Sequence, residues 1–383
     1  MMKFIMKMKH KLVLIWVATI FFSGSAFAQI TCVPGLQRTD TYAITPGMLS
    51  AGPDMPLGTI IYNMTWNDNN TGNQIRCNTN ISGGESATTP GISLGIESAP
   101  YPLSSWNGSP FSGKVYTTNI PGIGFAVWSN GNAATIESSV IKGPYTITIP
   151  DSSTMQNIGS GSPLEVSLIK IGNTPPGNYV INASTFPVVK NFWPASPLIA
   201  NAVTSRRITF TGNLTVVAQT CTTPDVNVNL GSYDTSVLSS AGSATPWIDA
   251  SIKLTNCPVF QGYFPEPTGS VQITGDTITQ PASKNNQFGV RLTPVGDIIN
   301  SASGIIAVSS SANAATGVGI QIANGTPSVV GQFFNLSSEL KLNTPKSGVS
   351  TINIPLISRY IKTGSEVTPG RADGKVTFTV NYY

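Results

Sequence analysis

Hydrophobic positions in this chain recur every second residue, not every third or fourth. The tail shows it best. Val376, Phe378, Val380 and Tyr382 alternate with Lys375, Thr377, Thr379 and Asn381, and a period of two sends successive side chains to opposite faces of a strand. Shorter strand candidates precede it. Gly58–Trp66, Pro144–Pro150, Leu164–Ile171 and Arg207–Val217 lie in the first half; Val226–Leu230, Ile248–Leu254, Val318–Ile322 and Ile352–Ile361 lie in the second. Most are rich in Val, Ile, Thr and aromatic residues and are bounded by Gly, Pro, Asn or Asp. No segment longer than two turns carries a helical period. The pattern predicts an all-β chain folded as two β-sandwiches. The boundary is expected near Ala218–Thr220, giving domains at 29–219 and 220–383.

Composition sharpens this picture. The 37 glycines and 28 prolines among 383 residues exceed ordinary usage but stay below disordered chains, so they read as turns between many strands. At the other end, Lys3, Lys7, Lys9 and Lys11 precede an apolar run from Leu12 to Phe22, followed by small residues and Ala26-Phe27-Ala28. That order predicts a secretory signal peptide over 1–28, with an apolar run too short to span a bilayer.

Removing the leader changes the charge balance. It holds four of the 21 basic residues and none of the 17 acidic ones, so the mature chain is neutral. A neutral chain offers no electrostatic footprint for nucleic acid or an anionic membrane. The one histidine, His10, leaves with the leader. Without imidazole, Ser-His-Asp chemistry, Cys-His chemistry and His-containing metal sites are all excluded. No metal or other cofactor is expected. Four cysteines remain: Cys32, Cys77, Cys221 and Cys257. An even count in an exported chain points to disulfides. Three connectivities are open, and the long gap between Cys77 and Cys221 favours Cys32–Cys77 with Cys221–Cys257.

Two motifs resemble catalytic ones. Gly91-Ile92-Ser93-Leu94-Gly95 matches a nucleophile elbow, which needs a strand-to-helix turn and a histidine base. Ser139-Val140-Ile141-Lys142 and Ser167-Leu168-Ile169-Lys170, with Lys362-Thr363-Gly364, match elements of serine penicillin-recognising enzymes. SxxK works on a helix, where positions i and i+3 share a face; in a strand they point apart. An enzyme is therefore not expected.

The C-terminal segment Arg359–Tyr383 resembles the ending of subunits of chaperone–usher fimbriae. These finish in an alternating strand with a penultimate aromatic, here Tyr382, and a glycine fourteen places from the end, here Gly370. Cys221 opening a domain, Cys257 closing the segment after Ile248–Asn256, and Gly289–Leu292 fit the same resemblance. It implies an immunoglobulin-like C-terminal domain lacking its last strand. It also implies a groove bordered by Gly370, Val376, Phe378, Val380, Tyr382 and Tyr383. A periplasmic chaperone and then the N-terminal donor strand of the next fimbrial subunit would fill that groove, with assembly through an outer-membrane usher.

The large segment before Cys221 resembles the receptor-binding domain of two-domain tip adhesins, as does Val115–Trp128. The resemblance implies attachment to a host glycan or matrix protein and display on the fimbrium after export through the periplasm. The competing reading is an assembly subunit with no receptor. A sugar pocket combines an aromatic face with amide or carboxylate groups. The candidates are Trp66, Asn67, Asp68 and Asn70 first, then Trp106, Trp128 and Asn130. Mannose-binding members carry an Asn-Asp pair after the second cysteine; here Cys77 is followed by Asn78-Thr79-Asn80.

Overall fold

A computed structural model describes residues 30–383 apart from 46, 68–73, 80–81, 150–154, 160–163, 197–198, 200, 267–268 and 276. The predicted leader lies outside the described residues. Among the described residues, every regular element is a strand apart from two single-turn 3-10 helices at Ala183–Thr185 and Thr235–Leu238. The all-β expectation holds, and the strands gather around two main cores.

In the first core, one sheet places Asn132–Ala134, Ile123–Ser129, Leu164–Lys170 and Ile60–Trp66 side by side. The facing sheet runs Val140–Lys142, Ile92–Ser98, Val188–Trp193, Val203–Thr211 and Arg38–Ala43. Their inner faces alternate as period two requires: Leu164, Val166 and Leu168 from one, Leu94, Ile96, Ile208 and Phe210 from the other, all buried in one cluster. Cys32 sits directly opposite Cys77 in a short antiparallel ladder, and the two form a disulfide. Cys221 and Cys257 form the second, so the favoured connectivity is the one present.

The second core lies between two further layers. One runs Ile248–Asp249, Leu356–Lys362, Val318–Thr326, Ile305–Ala307 and Ile298–Asn300; the other runs Leu340–Asn343, Gln287–Pro294 and Val376–Tyr382. The last strand is antiparallel to Gln287–Pro294, with Val380 opposite Val290 and Phe378 opposite Leu292.

The chain does not pass between the cores only once. It leaves the first core after Val217 and enters the second at Cys221. Beyond Phe260 it returns: Tyr263, Phe264, Val271 and Ile273 are buried in the first core. There Val271–Thr274 pairs in parallel with Ile60–Trp66 and carries Thr277–Thr279 as a hairpin partner. The chain crosses back to Phe288 in the second core. The first sheet is thus completed by residues from beyond the predicted boundary.

Candidate functional site

A groove of about 790 Å³ opens in the C-terminal domain. One wall is the extended segment Val226–Leu230; the other is formed by 367–374 and the start of the last strand, through Val376 and Phe378. Leu292, Ile306, Ile320, Ile322 and Leu356 form an apolar floor. Val226, Val228 and Leu230 alternate with exposed Asn227 and Asn229, so the segment has strand periodicity. Among the described residues it has no ladder partner.

Among the described residues, the last strand has a strand partner on one side only. Tyr383 and Gln287 exchange both backbone hydrogen bonds at 2.9 Å, which fixes the phase of the ladder. By antiparallel alternation, the N–H and C=O groups of Val376, Phe378, Val380 and Tyr382 point away from Gln287–Pro294. The same four side chains join the core cluster, yet Val376, Phe378 and Val380 are only half-buried. An apolar floor, an unpaired backbone edge and half-covered side chains therefore lie together. An extended peptide would satisfy all three at once.

Close backbone packing shapes this end of the molecule. A Cβ on Gly370 would lie 2.5 Å from Ala315 N, so glycine lets the groove wall lie against the Ala314–Ala315 backbone. Gly289 leaves room for the Glu339 side chain, whose Cδ would be 2.2 Å from an added Cβ. Glu339 in turn accepts hydrogen bonds from Asn381 Nδ2 at 2.7 Å and from the Tyr383 hydroxyl at 3.0 Å. Tyr382 is buried between Phe260 and Phe288. Its hydroxyl accepts a hydrogen bond from the Cys221 backbone N–H at 3.1 Å, and burial pushes its pKa up.

Among the described residues, the expected receptor residues of the first domain form no shared exposed face: Trp66 belongs to the main core, and Trp106 packs against the small cluster that buries Trp128. Trp66 is 2% exposed and packs on Tyr42 and Phe210; as an inward-facing strand residue it offers no ring face to a sugar. Trp128 is also buried, and its indole N–H donates to Ser167 Oγ at 2.9 Å. These two are core residues, a correction to the ligand-binding assignment. Asp68 and Asn70 lie outside the described residues. Asn67 is exposed, but its amide donates to Gln272 Oε1 at 2.9 Å, tying the returning hairpin to the sheet. Trp106 is half-exposed and donates to Pro110 O at 2.9 Å. Asn130 sits in a turn at φ 48° and is exposed.

The two catalytic look-alikes are explained by packing. Ser93 lies buried inside the Ile92–Ser98 strand, with no helix following it. Ser167 accepts from Trp128 and donates to Asn63 Oδ1 at 2.5 Å. Lys170 is fully buried, three residues along the same strand. No hydrogen bond joins it to Ser167. Desolvation pulls its pKa down to about 8, opposed by nearby Asp54.

The groove-bearing domain lies within the part of the chain that matches a known family. The family model described as "Fimbrial protein" matches residues 208–383. The chain is 30% identical over 196 residues to the "Uncharacterized fimbrial-like protein YraH" of Escherichia coli K12, covering 47% of this chain and 89% of that one. This chain belongs to the fimbrial protein family. It is also 24% identical over 381 residues to a "Fimbria adhesin protein" of Klebsiella pneumoniae, covering 94% of this chain and 96% of the other. Among solved structures, the CupB6 tip adhesin of Pseudomonas aeruginosa aligns over 92% of this chain and 94% of its own, at 14% identity and a TM-score of 0.33.

Proposed function

We propose that the chain is a two-domain tip adhesin of a chaperone–usher fimbria. The observation that carries this reading is the open groove between Val226–Leu230 and the outer edge of Val376–Tyr382, which pairs with no second strand among the described residues. A strand from another chain completes the C-terminal sandwich there. A periplasmic chaperone supplies it first; the N-terminal segment of the next subunit replaces it during assembly at the outer-membrane usher. The domain before Cys221 then projects from the fimbrium and holds the cell to a host glycan or a matrix protein. Similarity to a fimbrial adhesin along nearly the whole chain supports that division of labour. With Trp66 and Trp128 in the core, the half-exposed Trp106 loop and the Asn130 turn are the remaining aromatic and amide candidates for the receptor face.

The groove is tested by Phe378→Ser, with Thr379→Ser on the outer face as control. Phe378 is half-covered in the free chain, so the remaining burial becomes available only when a strand arrives. Covering a phenylalanine fully contributes about 1.5–3 kcal/mol, and half of that corresponds to a loss of roughly three- to twelvefold in capture by a co-expressed periplasmic chaperone. Equal capture of both variants, with the fold intact by circular dichroism, would sink the proposal. Receptor binding is tested with the full chain in its chaperone complex on glycan and matrix-protein arrays. Saturable binding to a narrow class supports the adhesin; silence transfers the chain to the assembly subunits without a receptor.

A further inference from the structure

The open edge of the last strand is not open along its whole length. The backbone N–H of Tyr382 points out of the ladder, toward the side where an added strand would pair, and it donates to Asp54 Oδ2 of the first domain at 2.9 Å. The Tyr382 carbonyl is also approached closely: a Cβ on Gly52 would lie 2.1 Å from its oxygen. Gly52 and Asp54 therefore occupy both backbone positions that the next rung of a ladder would use. The loop carrying them is held from both domains. Ala51 N–H donates to Val217 O at 2.9 Å and Ser50 N–H to Gly262 O at 2.8 Å. Ser50 Oγ accepts from Gln261 N–H at 2.9 Å, and Ser50 O from Asn286 Nδ2 at 3.1 Å. Met55, one residue beyond Asp54, is buried in the first core.

From this we infer that the Gly52–Asp54 loop is a built-in stop that sets the register of the incoming strand. The inference rests on the groove being a strand-acceptor site. It specifies that the added strand pairs with the outward backbone groups of Val376, Phe378 and Val380 and ends before Tyr382. A donor with a longer alternating segment gains nothing by extending past that point, because a fixed loop already fills the rung. The acceptor site is thereby a joint property of the two domains, since one of its ends is made by the N-terminal domain.

Amide hydrogen exchange at single residues reads the stop directly. In the free full-length chain the Tyr382 amide is protected, whereas those of Val376, Phe378 and Val380 exchange rapidly. Asp54→Ala speeds exchange at Tyr382 by about tenfold or more, the scale of a lost hydrogen bond to a charged acceptor. Asp54→Asn, which keeps an acceptor oxygen, retains most of the protection. In the complex with a co-expressed periplasmic fimbrial chaperone, Val376, Phe378 and Val380 become protected while Tyr382 still depends on Asp54. Equal loss in the Ala and Asn variants, or loss in neither, overturns the stop. Protection of Tyr382 in the Asp54→Ala complex also overturns it, since the arriving strand would then have taken the rung. If the chaperone protects none of the three upstream amides, the acceptor reading itself fails, whatever the state of Asp54.

Discussion

The returning hairpin makes the N-terminal domain dependent on sequence that lies well past the linker. Cutting the chain to residues 29–219 removes Phe264, Val271 and Ile273, which are 3%, 0% and 4% exposed in the first core. At about 1.5–3 kcal/mol for each fully buried side chain, the lost burial amounts to roughly 5–9 kcal/mol, an upper range because the unfolded chain is already partly compact. The cut also bares the edge of Ile60–Trp66, where Val271 faced Met64 and Ile273 faced Trp66. A domain's net stability is about 5–15 kcal/mol, so the loss takes much or all of it. The assay is urea unfolding by circular dichroism of 29–219 alone and of the same fragment joined through a flexible linker to 258–286. The fragment alone is expected to unfold early and with poor cooperativity, and the joined form to regain a sharp transition. Identical midpoints and slopes for the two would show that the hairpin rests on a finished domain, and would refute the reasoning.

Two further outcomes follow from buried polar groups. Lys170 has its pKa pulled below the unfolded value of 10.5, to about 8, so between these values the unfolded chain binds more protons and stability rises with pH. Lys170→Met is expected to be more stable than the parent at pH 7 and to lose that rise between pH 8 and 10, as read by urea midpoints at each pH. Tyr382→Phe removes the hydroxyl that accepts from the Cys221 N–H; leaving a buried donor unsatisfied costs about 1–3 kcal/mol, measurable by chemical denaturation of the full chain.

Much of the C-terminal site could be read in the sequence because its signals are local. Val376, Phe378, Val380 and Tyr382 keep strict period two. Gly370 fits a single close backbone approach, and Val226–Leu230 has a strand pattern even though it has no ladder partner among the described residues. The disulfides were legible for the same reason, each closing its own loop. The first domain was harder to read, because the deciding contacts are distant. Trp66 and Trp128 stand beside Asn67 and Asn130, which resemble a binding turn, but their own positions in the strands turn both rings inward. The segment Val271–Thr279 looks like any short hairpin; nothing local marks it as a parallel partner for residues some 200 positions earlier. Asp54 likewise reads as an ordinary turn residue until Tyr382 is placed beside it.

The three crossings between the two cores also determine how the molecule answers tension. A single linker between sandwiches would act as a tether, free to straighten and swivel before either domain felt a pull. Here a pull on the N-terminal domain meets the Val217–Cys221 connection and both arms of the returning segment together. The Cys221–Cys257 bond ties the first crossing to the root of the second. Swinging the domains apart requires drawing Val271–Thr274 out of the sheet and lifting Phe264 from its seat. If the chain acts as the proposed tip adhesin, a cell held by it is gripped through a stiff joint, in which the first event under rising force is the tearing of a sheet and not the stretching of a hinge.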